Sequence, residues 1–313
     1  MPGRKAPDPV LIGGTGRCGT RALASIVGQH SRYRRIHTEC NFHCSPQALP
    51  GLLAGAVSME SFLEDLRGRW WERRNSYGKP SGLHRRIPRE TLEAAIERFE
   101  PAFAADPEGA SSRLIRDILD PIAEAARKPS WVEMSKHNVQ AAPTLLGLLP
   151  DAKVIHIIRD GRDVASSVVA LNWAPETMNE GVDWWQRRLS AAEQGAAAVP
   201  AERLLVLSFE DLVANDRRRS FERLLDFLAV PRLRRRHREP EIHAYFEEHF
   251  NLESANVSRW RKDLTADETQ TLNAYFATVL EGLIAADTPG RPLFERFLES
   301  ANDAPARADA AAV

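Results

Sequence analysis

The sequence has no surplus of charge of either sign and no long apolar segment. Its 313 residues contain 42 lysines and arginines against 43 aspartates and glutamates, which gives a formal net charge of -1. A dedicated polybasic nucleic-acid binder carries a clear basic excess, so that class of protein is excluded. No apolar run reaches the roughly 18 to 20 residues that a membrane-spanning helix needs, and a spanning segment is therefore not expected.

Cysteine is also scarce. Cys18, Cys40 and Cys44 are an odd number without a repeated spacing, which predicts reduced thiols rather than a disulfide framework. The first residues contain no apolar core of a secretory signal, so we expect a cytoplasmic protein. Cys40 and Cys44 lie close in sequence to His37 and His43, which leaves a zinc site open as an alternative, although the spacing matches no standard zinc finger.

Short apolar runs alternate with amphipathic stretches along most of the chain. The runs predict strands at Val10–Gly13, Tyr33–Thr38, Trp131–Ser135, Lys153–Arg159 and Leu204–Phe209. The amphipathic stretches predict helices at Thr20–Val27, Val139–Leu149, Asp163–Leu171 and Val182–Ala198. Such alternation builds a parallel sheet with helices on both faces, so we predict an α/β fold with a central parallel sheet flanked by helices.

The part of the chain between residues 48 and 130 contains no recognisable strand. Its apolar residues recur at the three- or four-residue spacing of a helix: Phe62, Leu66, Trp70, Leu92, Ile96 and Phe99. We expect it to be a helical insertion within a single domain that spans residues 1–300. Residues 301–313 are rich in alanine and are expected to form a disordered tail. The arginine-rich run at residues 232–238 is interpreted as a solvated face, with an anion-binding or membrane-surface patch as the alternative.

A glycine-rich turn, GGTGRCGTR, directly follows the first predicted strand and opens a helix. Such a turn aims several backbone N–H groups at one point, where the positive end of the helix also favours an anion. Gly14, Gly19 and Thr20 have the spacing of a P-loop, but no lysine follows Gly19 to contact the β- and γ-phosphates of a nucleoside triphosphate. Arg17 stands in the middle instead, where it can reach a group that is transferred from the phosphate. The alternative is a purely structural turn.

A second polar segment, RDGRDVASS, follows the fourth predicted strand. In an open parallel sheet, ligands bind at the carboxyl ends of the strands, so this segment and the glycine-rich turn can face one crevice. Arg159 can bind a second phosphate with its guanidinium, and Ser167 with its hydroxyl. In the alternative interpretation, Arg159, Asp160, Arg162 and Asp163 form a structural cluster of ion pairs.

Together these two segments resemble the sulfotransferase superfamily, the enzymes that use 3′-phosphoadenosine 5′-phosphosulfate (PAPS). Three further stretches fit the same family: Trp131–Asn138, Leu207–Leu212 and Val257–Leu264. The resemblance runs from Pro9 to about Leu283, is weakest between residues 48 and 130, and is closest to bacterial and protein-tyrosine or carbohydrate-type members. It implies a P-loop-like fold of three layers and in-line transfer of a sulfonate to an acceptor hydroxyl, with no metal.

The resemblance also implies residue roles. Arg17 takes the position that touches the bridging oxygen and the transferred sulfonate. The residues expected around the 5′-phosphate are Gly16, Arg17, Cys18, Gly19, Thr20 and Arg21. Arg159 and Ser167 take the 3′-phosphate roles, and the residues expected to close over the nucleotide are Ser258, Arg261 and Lys262. Many members have serine where this chain has Cys18, so one hydroxyl contact is missing.

A base must take the proton of the acceptor hydroxyl, and two residues are candidates. Glu39, at the end of the second predicted strand, resembles the catalytic glutamate of the protein-tyrosine type and of some carbohydrate-type members. His137 lies near the place where cytosolic members keep a catalytic histidine. Both residue types suit the task, and we favour Glu39. Lys136 is interpreted as an additional source of positive charge at the reacting group, with a plain surface lysine as the alternative.

The sequence does not select one class of acceptor. The reacting hydroxyl can belong to a carbohydrate, a lipid, a natural product or a tyrosine. Aromatic faces suit sugar rings and phenols, so candidates for the lining of an acceptor pocket are Trp70, Trp71, Trp173, Trp184 and Trp185. Two other functions compete. One is a P-loop small-molecule kinase that uses ATP and Mg²⁺, which the missing lysine disfavours. The other is a non-catalytic nucleotide-binding protein.

Overall fold

The computed structural model describes residues 9–75, 78–171, 175–230, 239–251 and 256–303. Five strands form one sheet in the order β2-β3-β1-β4-β5, and every neighbouring pair is parallel. The strands are β1 (Val10–Gly13), β2 (Tyr33–Arg35), β3 (Ser130–Glu133), β4 (Lys153–Ile158) and β5 (Leu204–Ser208). The predicted α/β fold with a central parallel sheet is confirmed.

Two strands end at least two residues earlier than their sequence predicted, whereas β4 and β5 end one residue earlier. The predicted strand that ran to Thr38 ends at Arg35, although the N–H of Ile36 still donates to the carbonyl of Val132 on β3. The strand β3 ends at Glu133 because the N–H and the hydroxyl of Ser135 both turn back to the Glu133 carboxylate. The residues after these shortened strands continue as loops at the carboxyl edge of the sheet.

Helices connect the strands and continue the chain beyond the last of them. In chain order they are α1 (Thr20–Gln29), α2 (Leu49–Leu53), α3 (Met59–Arg67), α4 (Arg89–Phe103), α5 (Pro107–Ala125), α6 (Ala142–Leu148), α7 (Gly161–Val169), α8 (Met178–Ala197), α9 (Arg217–Phe227), α10 (Pro240–His249), α11 (Ala266–Ala285) and α12 (Arg291–Asn302). Shorter helical turns lie at Leu83–Arg85, Lys136–Asn138, Ala201–Arg203, Asp211–Asn215 and Arg259–Lys262.

Three predicted helices begin elsewhere for local reasons. The helix α8 begins at Met178 rather than Val182, because Thr177 and Glu180 form a capping box before it. The helix α6 begins at Ala142 rather than Val139, because a separate short turn follows β3. The helix α7 begins at Gly161, two residues before its predicted start. The carboxylate of Asp160 accepts a hydrogen bond from the N–H of Arg162 over 2.8 Å and so caps this helix.

Helices cover both faces of the sheet, because side chains alternate along each strand. Val10 and Ile12 pack into an apolar cluster with α1, α9 and α10. Leu11, between them, packs into the opposite cluster, which α2 to α5 build. The result is three layers with the glycine-rich turn at the carboxyl edge of the middle one.

The segment between residues 48 and 130 is helical in its described part, with one isolated antiparallel bridge between Arg74 and Pro80. Its predicted apolar positions, including Phe62, Trp70 and Phe99, are buried in the cluster that contains Leu11. None of the helices in the described part of the chain is long and apolar enough to cross a bilayer.

The carboxyl-terminal part of the chain is ordered further than its sequence predicted. The helix α12 runs to Asn302 and buries Ala301, so regular structure extends past the predicted start of the tail at residue 301. Residues 304–313 and the arginine-rich run at 232–238 lie outside the described residues.

Candidate functional site

The turn between β1 and α1 has a backbone that only glycine fits at position 19. Gly19 has φ 97°, and a Cβ there would stand 2.5 Å from the ring of Phe209. The helix α1 then begins at Thr20 with neither a side-chain cap nor an acidic residue in its first turn. Its first N–H groups and its positive end therefore face the turn, which is the arrangement that binds a phosphate.

Arg17 connects this turn with the helix α7. It has a left-handed backbone with φ 59° and an exposed side chain. Its Nε donates to Oγ of Ser167 over 2.9 Å. Arg159, at the end of β4, donates Nη1 to the carbonyl oxygen of Arg17 over 3.4 Å. The arginine-bearing segments after β1 and β4 are therefore in direct contact at the carboxyl edge of the sheet.

Arg159 is held in one position from several sides. Its guanidinium lies 4.7 Å from the ring centroid of Phe209, and its Nη2 donates to the carbonyl oxygen of Asn256 over 2.9 Å. The same Nη2 is 3.5 Å from Oδ2 of Asp163. An arginine oriented in this way loses little side-chain entropy when it binds a phosphate.

The neighbouring charged residues form the structural cluster that the sequence left as an alternative. Arg162 is buried and binds Asp160 through two hydrogen bonds, from Nε over 3.0 Å and from Nη2 over 2.6 Å. Its Nη1 donates to Asn273, and the guanidinium packs 4.4 Å from the ring of Trp260. The segment therefore contains both features: a buried Asp160–Arg162 pair that supports the fold, and Arg159 at the crevice.

The segment after the last gap in the described residues packs against the first turn of α7. The N–H of Ser258 donates to Oδ2 of Asp163 over 2.8 Å. Arg261 and Lys262 follow on a short turn and are exposed. Ser258 thus lies beside the Arg159 group, whereas Arg261 and Lys262 make no hydrogen bond to it within the described ranges.

The side chain of Cys18 is buried on the inner side of the glycine-rich turn. It has no exposed surface and belongs to the apolar cluster with Leu23 and Ile157. Burial raises the pKa of the thiol. A contact of this residue with a phosphate is thus left to its backbone N–H.

Arg21 lies on the face of α1 that looks toward the edge strand β2. Arg35 of β2 donates to Oγ of Ser25, one turn after Arg21. Burial lowers the pKa of Arg35, and repulsion from Arg21 lowers it further. Arg21 therefore lies beside Arg35 as well as at the beginning of the helix.

A group of side chains from the turn after β3 and from α8 borders the other wall of the glycine-rich turn. The carbonyl of Lys136 accepts a hydrogen bond from the N–H of Gly14 over 3.2 Å. Cδ of Lys136 and Cη2 of Trp184 each lie 3.8 Å from the point where a Cβ on Gly16 would stand. The guanidinium of Arg188 stacks 4.1 Å from the ring centroid of Trp184. This wall is consequently cationic and aromatic.

The electrostatics of Lys136 show how the charges are arranged. Burial lowers the pKa of Lys136, and repulsion from Arg188 and Arg73 lowers it further, while Glu39 acts in the opposite direction. These four side chains therefore lie within electrostatic reach of one another. Positive charge outweighs negative charge on this side of the crevice.

The two candidate bases both lie near Lys136. Oε2 of Glu39 accepts a hydrogen bond from Nη2 of Arg73 over 2.9 Å, and the side chains are 29% and 26% exposed. Nδ1 of His137 lies 3.0 Å from Oε1 of Gln140. Burial lowers the pKa of His137, so its ring is neutral near pH 7.

Beneath this wall lies a buried hydrogen-bond network centred on Glu133. Its carboxylate accepts hydrogen bonds from the N–H of Cys40 over 3.0 Å, from Nδ2 of Asn138 over 2.7 Å and from both donors of Ser135. Nε2 of His43 is 3.3 Å away. Burial opposes ionisation of Glu133, but His43 and the hydrogen bonds from Ser135 hold its pKa at about 2. The network fixes the loop that carries Glu39 against the turn that carries Lys136.

The four residues of the alternative zinc site do not all lie together in the structure. Cys40, Cys44 and His43 are buried beside Glu133, but His37 is exposed. Within the described residues no group of three or more histidine, cysteine, aspartate or glutamate side chains is arranged to hold a metal.

Several contributors to the site carry no motif that sequence reasoning could use. Arg73 lies in the segment where the family resemblance is weakest, and Asn256 contributes only its carbonyl oxygen. Arg188 did have a signal: it follows Trp184 by four residues on a predicted helix, so the two side chains share a face. Of the five tryptophans considered, Trp70 and Trp185 are buried in the core and Trp173 lies outside the described residues.

A comparison with known proteins identifies the protein family. The model of the sulfotransferase family matches residues 9–235, which is well over half of the chain. The chain belongs to the sulfotransferase family, and the resemblance inferred from its motifs is confirmed.

Solved structures similar to this chain include bacterial sulfotransferases. The sulfotransferase domain of the Synechococcus PCC 7002 olefin synthase is 18% identical with a TM-score of 0.43, and the match covers 85% of this chain and 91% of that one. A sulfotransferase from Alicyclobacillus acidocaldarius is 14% identical with a TM-score of 0.46, covering 95% and 98%. Sulfotransferase STF1 of Mycobacterium tuberculosis H37Rv is 15% identical with a TM-score of 0.46, covering 87% and 77%. No curated protein matches the chain at a significant level.

Proposed function

We propose that this sulfotransferase moves a sulfonate from PAPS to an acceptor hydroxyl. The observation that carries the proposal is the meeting of Arg17, Arg159 and Ser167 at one surface. PAPS has phosphates at both ends of its ribose, and a site for it needs two anion-binding groups facing one crevice. The glycine-rich turn supplies one group, and the ends of β4 and α7 supply the other.

The backbone of the turn and the first turn of α1 hold the 5′-phosphate. The residues assigned to it are Gly16, Arg17, Cys18, Gly19, Thr20 and Arg21, with Cys18 acting through its N–H. Arg159 and Ser167 hold the 3′-phosphate, and Ser258, Arg261 and Lys262 close over the nucleotide. Because Ser167 accepts its hydrogen bond from Arg17, its own O–H is left to donate to a phosphate oxygen.

Arg17 stabilises the charge that develops during transfer. The bond from sulfur to the bridging oxygen breaks while the bond from sulfur to the acceptor oxygen forms, and negative charge builds on the leaving phosphate. A guanidinium fixed at that oxygen lowers the barrier, since it is oriented before the reaction begins. Lys136, beside Gly16, adds positive charge on the other side of the turn.

The acceptor proton passes to a base on the cationic wall. We favour Glu39, because its second oxygen, Oε1, makes no hydrogen bond to any described residue and so can receive a proton. Arg73 holds the other oxygen and sets the orientation of the carboxylate. His137, neutral near pH 7, is the competing base. The acceptor is a hydroxyl of a carbohydrate, a lipid, a natural product or a tyrosine.

The test begins with the donor. Calorimetric titration with adenosine 3′,5′-bisphosphate is expected to show tight binding without added metal, and ATP with Mg²⁺ is expected to bind much more weakly. Incubation with PAPS and a panel of hydroxyl compounds is then analysed by mass spectrometry for a sulfonated product. Preference for ATP and Mg²⁺ would support a kinase, and bisphosphate binding without transfer to any acceptor would support a non-catalytic protein.

A further inference from the structure

Arg188 holds a positive charge in a fixed position beside the glycine-rich turn. Its guanidinium lies on the ring of Trp184, 4.1 Å from the centroid, and Cη2 of Trp184 lies 3.8 Å from the point where a Cβ on Gly16 would stand. Stacking on an aromatic face leaves the N–H groups at the edge of the guanidinium pointing outward in their plane. Those groups can bind an oxyanion through two parallel hydrogen bonds.

This positive charge has no counter-charge in the described part of the chain. The side chains of Lys136 and Arg188 take part in no salt bridge or hydrogen bond among the described residues. Two other arginines at the crevice are paired with acids, Arg73 with Glu39 and Arg159 with Asp163, and Arg17 donates to the hydroxyl of Ser167. Burial lowers the pKa of Arg188, and repulsion from Arg188 lowers the pKa of Lys136. An anion that entered between them would relieve this repulsion.

The proposed donor does not neutralise all of the positive charge beside the glycine-rich turn. Its phosphosulfate group carries one negative charge on the phosphate and one on the sulfonate. Arg17 and Lys136, on the two sides of the turn, balance these charges. The charge of Arg73 is balanced by Glu39. Arg188 is therefore the cation that remains for the second substrate, the acceptor.

We propose that the acceptor bears an oxyanion, a carboxylate, sulfate or phosphate group close to its reacting hydroxyl, and that Arg188 binds this group. The inference rests on the proposed function and names its substrate class. A neutral acceptor would leave the guanidinium half-buried and unpaired, which is unfavourable, whereas an anionic one satisfies it. Arg188 is thus a specificity-determining residue rather than part of the transfer itself.

The test compares pairs of probes that differ only in charge. One pair is 4-hydroxyphenylacetate with its amide, and the other is methyl glucuronide with methyl glucoside. Each probe is titrated by calorimetry into protein saturated with adenosine 3′,5′-bisphosphate. The variants are Arg188→Gln, which removes the charge, and Arg188→Lys, which keeps it. Arg187→Gln is the matched control, because Arg187 is the exposed neighbour on the same helix.

In at least one pair, the wild-type protein and Arg187→Gln are expected to bind the anionic member about tenfold more tightly or better, the effect of one charged hydrogen-bonded contact. Arg188→Gln is expected to bring the two members within about twofold, while Arg188→Lys keeps part of the preference. The inference is overturned if no pair favours the anionic member, or if the preference survives in Arg188→Gln with an unchanged melting temperature.

These probes distinguish a failure of the proposed function from a failure of the inference about the acceptor. If adenosine 3′,5′-bisphosphate does not bind, the proposed donor is wrong. The same probe pairs titrated into the unliganded protein then still show whether Arg188 selects an anion. If the bisphosphate binds and charge selection is absent, only the inference about the acceptor fails.

Discussion

Nε of Arg17 donates to Oγ of Ser167 over 2.9 Å, although 150 residues separate them in the chain. This contact joins the turn assigned to the 5′-phosphosulfate with the helix assigned to the 3′-phosphate. Under the proposed function, the two ends of the nucleotide are bound by residues that also contact each other, so a substitution at one end is expected to change binding at the other.

Replacing Arg17 tests the chemical step. Arg17→Ala is expected to lower kcat by about 100 to 1,000 fold, the usual loss when one preorganised donor at a developing charge is removed. Arg17→Lys is expected to retain part of the activity, because a positive charge remains. Single-turnover transfer from PAPS measures the effect, and Arg187→Gln serves as the surface control. Full activity in Arg17→Ala contradicts the mechanism.

Replacing Arg159 tests which phosphate it binds. Arg159→Ala is expected to weaken adenosine 3′,5′-bisphosphate binding by about 10 to 100 fold, since a charged hydrogen bond contributes roughly 1.5 to 3 kcal/mol. Adenosine 5′-monophosphate lacks the 3′-phosphate, so its affinity is expected to change little. Calorimetry with both ligands gives the comparison. An equal loss for both would assign Arg159 to the fold or to the 5′ side.

The choice of base is tested by paired substitutions. Glu39→Gln keeps the hydrogen bond to Arg73 possible but removes the proton acceptor, so it is expected to lower kcat by about 100 fold or more with unchanged bisphosphate affinity. His137→Ala is expected to have a mild effect, and Glu72→Gln is a control at an exposed glutamate nearby. The reverse pattern assigns the base to His137, and two equally mild effects remove both candidates.

The buried carboxylate of Glu133 is expected to set the acid stability of the protein. Its pKa falls from the ordinary 4.5 to about 2 on folding. Because the folded value is the lower one, its stabilising contribution is present above pH 4.5 and is lost as the pH falls toward 2. Denaturant unfolding of wild type and Glu133→Gln between about pH 7 and pH 3 measures this contribution.

Glu133→Gln is expected to cost about 3 to 5 kcal/mol near neutral pH and to flatten the dependence on pH. The amide offers one acceptor oxygen instead of two, and His43 loses the negative charge beside it. Glu93 is the control: it also pairs with arginines, Arg67 and Arg89, but at the surface. Glu93→Gln is expected to change stability by at most about 1 kcal/mol. Equal costs at the two positions would show that the buried network does not carry the effect.

Alanine substitutions at two glycines with left-handed backbones distinguish the cost of backbone strain from the cost of a steric clash. A Cβ on Gly55, at φ 71°, meets no atom within 4 Å, so Gly55→Ala is expected to cost only the backbone strain of about 1 to 2 kcal/mol. On Gly19, at φ 97°, a Cβ would enter the ring of Phe209. Gly19→Ala is therefore expected to cost more and to weaken bisphosphate binding. Unfolding free energies of the two variants give the comparison, and similar losses at both sites would contradict the close approach.

The fold could be predicted because its signals are local. The strand β4 is a continuous apolar run, and the glycine-rich turn between β1 and α1 has a spacing that few other structures need. Arg159 could be placed at the crevice because strand ends of a parallel sheet meet at one edge. The burial of Phe62 and Phe99 likewise follows from helical periodicity.

The rest depends on contacts between distant segments. Arg73 reaches Glu39 from a part of the chain without a motif, so no spacing rule pairs them. Arg162 is buried with Asp160, whereas Arg159 lies at the crevice. This difference depends on which side chains point toward the core where the helix α7 begins. The family resemblance puts Cys18 at a position where serine is common, but a thiol on the inner side of the turn packs with apolar neighbours.

The burial of all three cysteines has a practical consequence. Cys18, Cys40 and Cys44 carry free thiols that are inaccessible in the folded chain. An alkylating reagent in the surrounding solution can reach them only when the core opens, so the rate of modification reports how often that happens. The protein thus contains its own probe of conformational opening, and mass spectrometry can show whether the turn at Cys18 opens together with the loop at Cys40 and Cys44 or before it.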